Sequence, residues 1–470
     1  MNTVLLIPDG VGVRNFLLGG FLPQLAQAGP CHVLHTVPEE ALSQYQQQPD
    51  THAVHWHRML DYQETALTAG LRYAVGYAQM HWGGTRAMRH TLQHPVLGSW
   101  RTRALRHGAK LLGRALAYPA GIQALDSAHC RAVSRLPIVA HYRALFARLR
   151  PAVIFCSHQR PFSVVPPVLA ARALGIPTAT FIFSWDNLSS KGRIAAPFDH
   201  FFVWSELMRR ELLTFYPDIA PAQTHIVGTP QFDPYADQTL LWTRAEFCAR
   251  LGIDPASPLV CYSGGDAGTA PEDPQHLRIL LELIASGQIA GPGQSRPHVI
   301  VRPAPVDDGS RYAAVRRDYP DLIFAQPEWL HTAPGDWART IPLAADVQFL
   351  ANLTAHADLN INLASTMTLD FALHDKPVVN VAFDVADPPV HGVPLWDYYY
   401  QFEHYRPVVE LGAARFARSP AELAQHVNAY LAEPALDREA RRRFVELQVG
   451  APLGQSGRLI NEQLQRLARG

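Results

Sequence analysis

A chain of 470 residues exceeds what one hydrophobic core organises, so two domains of about 200 residues each are the default. Apolar residues make up 48%, with 38 Pro and 31 Gly, a globular rather than disordered composition. The 41 basic residues balance 41 acidic ones, which excludes a chain-wide field directed at nucleic acid. The five cysteines, Cys31, Cys130, Cys156, Cys248 and Cys261, are odd in number, far apart and mostly set in apolar runs. They read as reduced, buried thiols, not as a disulfide frame or a metal site.

The opening MNTVLLIPDG has no basic n-region and breaks at Pro8, so it reads as a first strand and not as a signal peptide. No apolar run approaches the roughly 20 residues of a membrane-spanning helix. A cytoplasmic protein is expected, either fully soluble or peripheral at the inner face of the membrane. Val4 to Ile7, the loop DGVGVRN, a helix from Phe16 to Ala28 and a strand from Val33 to Val37 follow βαβ logic and imply a parallel sheet. DGVGVRN departs from GxGxxG and no acid ends the second strand, which disfavours NAD. Its Asp9, Gly10, Arg14 and Asn15 lie at a strand end.

Residues 101–150 carry nine Arg and one Lys against a single acid, Asp126, with apolar residues interleaved. Such a stretch suits an anionic membrane surface or a phosphate-bearing acceptor; the alternative is a solvated insertion whose Arg residues pair with acids elsewhere. From 153 to 182 the βα grammar returns as AVIFCS, VVPPVLAARALG and PTATFIF, followed by the strand HFFVWS, the helix MRRELLTFY and the strand THIVG. CSHQRPF places His158 and Arg160 past one strand end, and FSWDNLSSKGR places Trp185, Asp186, Asn187, Lys191 and Arg193 past the next. Two neighbouring strand ends presenting polar groups to one rim is how a general base and its orienting partners are assembled, though His158 as a structural histidine and Asp186 as an N-cap are the plain alternatives.

Composition changes near 233–258, and a second βα series runs through Leu259 to Tyr262, HVIVRP, DLIFA, DLNINLA and PVVNVAF. In it, SGGDAG (263–268) follows a strand, so Gly264 and Gly265 offer a backbone nest for a phosphate or sugar. Arg302 ends the next strand and suits a diphosphate, or else a surface ion pair. Ala364-Ser365-Thr366 then opens a helix with Asp370 one turn in, which is either an anion seat or an ordinary connection capped by Ser365 or Thr366. No GxSxG, HExxH, zinc-type spacing or Walker A frame is present.

Over about residues 150–435 the chain resembles the GT-B superfamily of nucleotide-sugar enzymes, especially bacterial surface-polysaccharide glycosyltransferases and the non-hydrolysing UDP-GlcNAc 2-epimerases. The resemblance is carried by ALGIPTATFIFSWDN, FDHFFVWSELMRRELL, THIVGTPQFD and ADLNINLASTMTLDFALHDKPVVNV. It implies an α/β GT-B fold of two facing Rossmann-like domains with a cleft between them: 1–240 on the acceptor side, with a basic helical insertion about 60–150; 241–435 on the donor side; and C-terminal helices at 436–470, packing back on the first domain. It further implies a metal-independent, inverting sugar transfer from a nucleoside-diphosphate sugar to a surface-glycan or lipid-linked acceptor, with no cofactor required. Gly264, Gly265, Arg302, Ser365, Thr366 and Asp370 would hold the donor. Asp186, with Asp9 as second choice, would take the acceptor's proton with His158 or Arg193 orienting it, and Gly10, Arg14, Asn15, Arg160, Trp185, Asn187 and Lys191 would complete the acceptor side.

The epimerase motifs are altered. Ser157-His158-Gln159 stands for their His-Gly-Asp loop, Asp186 for a catalytic Glu, and SGGDAG for a His-Arg loop, so an epimerase is the alternative and not the first reading. RPAP is similar to the RPHP-like segment of capsule and teichoic-acid polymerising enzymes, with Ala304 in place of their His. A glycerophosphotransferase-like polymerase and a non-catalytic nucleotide-sugar binding protein are the remaining alternatives.

Overall fold

The computed structural model describes residues 1–47, 53–332 and 336–469 and divides into two α/β units. The first comprises Met1–Asp233 with Gln448–Gly470, the second Pro234–Leu447. The sequence reading joins the domains near 240 and treats 436–470 as one block. The chain instead changes unit at 233/234 and at 447/448, so the helix Arg438–Gln448 falls almost wholly in the second unit and the helix Ser456–Leu467 in the first.

The first unit is built on β1 (Thr3–Ile7), β2 (Cys31–His35), β3 (Val54–Arg58), β4 (Val153–Cys156), β5 (Thr178–Phe181), β6 (His200–Val203) and β7 (Thr224–Ile226), ordered β3-β2-β1-β4-β5-β6-β7. Every pairing is parallel. β1 and β4 are buried along their whole length, as continuous apolar runs at the centre of a parallel sheet must be. β3, VHWHR, alternates and lies at the edge. The helix expected at Phe16–Ala28 is confined to Phe21–Gln27, and the expected loop DGVGVRN holds a separate short helix, Val11–Phe16, the two being parted by a turn at Gly19 with φ +110°.

Between β3 and β4 the chain leaves the sheet for an all-helical insertion: Ala66–Gly83, Arg86–Gln93, Trp100–Ala115, Pro119–Ser134 and Pro137–Leu149. Its own core gathers Ala74, Tyr77, Ala78, Met88, Ile122 and Leu125. The first and third helices touch at Gly113, where a Cβ would lie 2.7 Å from the Ala74 carbonyl oxygen. The last helix of the chain is seated by Asp233, whose carboxylate accepts from the amides of Ser456 and Gly457 at 3.1 and 2.7 Å.

The second unit carries β8 (Leu259–Ser263), β9 (His298–Arg302), β10 (Ile323–Phe324), the antiparallel pair β11 (Trp329–His331) and β12 (Thr340–Pro342), then β13 (Leu359–Asn362), β14 (Val378–Val381) and β15 (Arg415–Ala417). Its main sheet is parallel in the order β10-β9-β8-β13-β14-β15. Both sheets therefore reverse direction of growth once, between β1 and β4 and between β8 and β13, and ligands of doubly wound sheets gather at the carboxyl ends of strands beside such a switch point. Cys31, Cys156, Cys248 and Cys261 are buried, and no cysteine is bridged among the described residues. No helix among the described residues is long and apolar enough to cross a membrane.

Candidate functional site

At the switch point of the first unit, Asp9 follows β1 and His158 follows β4. Sheet order makes these strands neighbours, and it brings the Asp9 Oδ2 and His158 Nδ1 within 2.7 Å. Both side chains are nearly buried, at 5% and 10% exposure. In a neutral ring, a proton on Nδ1 facing the carboxylate oxygen leaves Nε2 with its lone pair. Nε2 makes no hydrogen bond among the described residues. The Gly12 amide donates to Asp9 Oδ1 at 3.4 Å, and residue 12 must be glycine, since a Cβ there would lie 2.1 Å from Ser157 Oγ. Beside the pair, Ser157 Oγ and both amide atoms of Asn15 are buried with no partner among the described residues. Buried polar atoms are ordinarily paired, so this cluster is the place where a ligand's polar groups would be received.

At the switch point of the second unit, the turn 363–367 joins β13 to the short helix Met367–Ala372 and is half-buried. Ala364 holds a left-handed φ of +45°. A buried polar network holds this turn from below. Asn362 Oδ1 accepts the Ser365 amide at 2.9 Å, and Asn380 Nδ2 reaches the same oxygen at 3.0 Å. Thr368 Oγ1 and Tyr405 Oη lie 2.8 Å apart, Tyr405 donates to Asn380 Oδ1, and Asn360 donates to Ser263 Oγ at the end of β8. All three asparagines are fully buried in the sheet, where an apolar residue is ordinary. Ser365 Oγ itself accepts from the Met367 amide at 3.2 Å. The sequence reading named Ser365 and Thr366 but missed the asparagines, although polar side chains alternating through DLNINL and recurring in VVNV are an irregularity visible in a buried strand.

Comparison with solved structures finds the same architecture along the full length. A UDP-GlcNAc 2-epimerase from Neisseria meningitidis bound to UDP-GlcNAc matches 99% of this chain and 100% of its own, with a TM-score of 0.52 at 10% identity. An S. aureus MnaA–UDP co-structure matches 99% of this chain and 97% of its own, with a TM-score of 0.52 at 10% identity. A glycosyltransferase from Rickettsia africae ESF-5 matches 100% of this chain and 99% of its own, with a TM-score of 0.50 at 9% identity. The chain is built on a GT-B-type scaffold. No protein-family model and no curated protein matches its sequence.

On this GT-B scaffold several residues expected to bind donor or acceptor are engaged in holding the fold. Gly264 and Gly265 do not form an open nest: the Gly264 amide bonds the Arg302 carbonyl at 2.9 Å, and the Gly265 amide bonds Asp273 Oδ2 at 2.7 Å. The anion in that loop is the chain's own carboxylate. Burial pushes Asp273 up to about 6, against Tyr262 and Arg311. Glycine at 264 admits Tyr312, whose Oη would lie 2.3 Å from a Cβ. Arg302, expected to meet a diphosphate, is engaged by an acid through one nitrogen, while its Nη1 is buried with no partner among the described residues. Its Nη2 holds both oxygens of Asp346 at 2.9 and 2.8 Å, with both side chains 5% exposed. Burial raises the Asp346 pKa, but Arg302 outweighs it and holds the carboxyl below the usual range. Asp370 is 2% exposed and accepts from Tyr235 Oη, so its carboxylate is not open to a ribose.

In the first unit Asp186, the sequence's first choice of base, accepts from Ser190 Oγ at 2.7 Å and Asn187 Nδ2 at 3.1 Å, with Lys191 Nζ at 3.6 Å. It binds side chains of its own short helix, although it makes no capping bond to that helix's backbone amides. Asn187 also takes Gln159 Nε2 at 2.8 Å, tying the loop after β4 to the loop after β5, and Trp185 is buried in the core. Arg193 lies across Tyr216 and binds Asp126 at 3.1 Å and Asp218 at 2.7 Å, so it orients nothing at His158. Arg14 reaches the Gln231 carbonyl at 3.4 Å, and Gly10 caps the helix Val11–Phe16. Asp126, His129 and Cys130 gather within 4.8 Å on one helix. The Arg193 guanidinium on Asp126 opposes a cation there, and burial pushes the Cys130 thiol up to about 12, away from the thiolate a metal needs.

Proposed function

We propose that the protein is a glycosyltransferase that moves a sugar, with inversion, from a nucleoside-diphosphate sugar to an acceptor hydroxyl of a surface glycan or lipid-linked glycan. The observation that carries this reading is the Asp9–His158 pair at the switch point of the first unit. Nε2 takes the acceptor's proton as its oxygen attacks the anomeric carbon. The bond from that carbon to the diphosphate oxygen breaks, and its electron pair leaves with the diphosphate. Asp9 keeps the ring in the right tautomer and stabilises the imidazolium that forms. The scaffold's likeness to UDP-bound structures supports a nucleotide on the second unit, at the turn of Ser365 and Thr366 braced by the asparagine network. The Asp9–His158 pair replaces Asp186 as the proposed proton acceptor.

Two experiments bear on this reading. Thermal shifts against UDP-, GDP-, CDP- and dTDP-sugars should show one class raising the melting temperature, since a ligand that binds only the folded state must do so. With that donor, His158→Ala should lower transfer by about 10²- to 10⁴-fold while the donor's thermal shift persists. Full turnover by His158→Ala would remove the histidine from its role, and no shift from any sugar nucleotide would end the reading.

A second reading is epimerisation of a UDP-sugar, favoured by the likeness to UDP-GlcNAc 2-epimerases. Product formed from UDP-GlcNAc alone, with no acceptor, would select it.

The acceptor side is proposed to rest on an anionic membrane surface. The helix Trp100–Ala115 and the turn before it expose Leu97 (75%), Trp100 (68%) and Leu111 (73%) beside Arg101, Arg103 and Arg114. Apolar anchors flanked by cations, on a segment whose lone acid is held by Arg193, complement an anionic bilayer.

A further inference from the structure

The helical insertion of the first unit meets the loops after β4 and β5 over a cavity of about 320 Å³, within the size range of small-ligand sites. Arg72, Arg106, Lys110, Arg160 and Arg193 line it, and no acidic residue does. Two of these cations are neutralised outside the cavity. Arg72 holds both oxygens of Glu64 at 2.7 Å, and Arg193 is held by Asp126 and Asp218. The other three form no ion pair among the described residues. Arg106 donates to Tyr77 Oη at a long 3.4 Å and lies over the Tyr73 ring; Lys110 donates to the Leu92 carbonyl. Arg160 makes no hydrogen bond among the described residues, and Asp186 and Asp9 are its opposing charges.

Three cations that share one concavity with no acid on its walls repel one another, and a multivalent anion relieves that repulsion while giving their N–H groups acceptors. Tyr73 and Tyr77 add an aromatic wall to the same cavity. We propose that this cavity binds the phosphate or diphosphate group of a ligand. Arg160 stands two residues beyond His158 in the loop after β4, which brings the cavity next to the proton-accepting pair, so its occupant is the phosphate-bearing end of the acceptor. The phosphate site stands on the cavity's own charges; only the identity of its owner rests on the transfer proposed above.

Calorimetry on the full chain at low salt, with inorganic pyrophosphate and with dihexanoyl phosphatidic acid below its micelle concentration, tests the site. Arg106→Gln/Lys110→Gln removes two lining charges. Arg135→Gln/Arg143→Gln removes two exposed charges of the same insertion outside the cavity and serves as the control. The expected result is binding of a probe by the wild type, weakened about tenfold or more in the lining variant and scarcely in the control. Equal binding of both probes shows that phosphate itself is recognised, and binding of phosphatidic acid alone shows that it is recognised on a lipid. No binding of either probe, or equal losses in lining variant and control, overturns the proposal. The sugar-nucleotide thermal shift should be unchanged in the lining variant, which separates failure of this site from failure of donor binding. Absence of transfer with pyrophosphate binding intact would remove the acceptor and leave the phosphate site.

Discussion

Arg302 and Asp346 show how one residue's role is decided by a partner far along the chain. Both are buried, and Asp346 also accepts from the Glu328 amide and the Trp329 indole, so its carboxylate ties the end of β9 to the start of β11. Asp346→Ala leaves an uncompensated guanidinium in the core and should destabilise the second unit by about 3–5 kcal/mol in urea unfolding, with Arg302→Met/Asp346→Ala recovering much of the loss. A loss below about 1 kcal/mol would show that the pair is not the structural bond it resembles. In the sequence, Arg302 ends an apolar strand, where a phosphate ligand and an ion pair look alike, and the deciding acid lies 44 residues on. Asp273 likewise fills the glycine loop from eight residues downstream. Asp9 and His158 were each legible as strand-end polar residues, but 149 residues separate them, and only the order of strands in the sheet makes them a pair.

Among the elements, the helix Trp100–Ala115 most directly joins sequence to use. Its charges were legible as a basic amphipathic stretch; which of its apolar residues stay outside was not, because that depends on packing at Gly113 and Ala109. The wild type should float with vesicles containing phosphatidylglycerol at low salt. Arg101→Gln/Arg103→Gln/Arg114→Gln should weaken that partitioning about a hundredfold, at roughly 1 kcal/mol per cation near an anionic surface. Equal flotation of variant and wild type, or none by the wild type, would end the membrane reading. The central strands were legible because they are unbroken apolar runs. β3, β15 and the pair β11–β12 were not, since short or edge strands carry too little hydrophobic pattern to stand out. The starts of two insertion helices were written in the chain as Pro119 and Pro137, each at a first helical position.

For the molecule as a whole, the alternation of strand and helix made two doubly wound halves legible, while the return of the last helix to the first unit depends on Asp233, which no local pattern announces. The same burial sets the response to acid. His32, His35, His225 and His374 are all pushed down to about 4, chiefly by burial, from an ordinary 6.5. Between those values the unfolded chain takes up protons that the folded one refuses, so stability falls as pH drops from 6.5 to 4. Asp273 works the other way, binding its proton at about 6 when folded and near 3.8 when unfolded, and burial raises Asp233 and Glu272 too, but the lowered histidines, His57, His129, His276, His356 and His426 among them, outnumber these carboxyls. The urea midpoint should therefore decline across that window, and more steeply in Asp273→Asn; a level or rising profile would contradict it. The helical insertion departs from the sheet's edge after β3 and rejoins it at β4, beside β1, without contributing a strand. On the function proposed above, descendants of this chain could exchange the whole helical block, and with it the surface they settle on and the cargo they admit, while the proposed proton-handling pair is inherited untouched: the address would be rewritten without altering the chemistry.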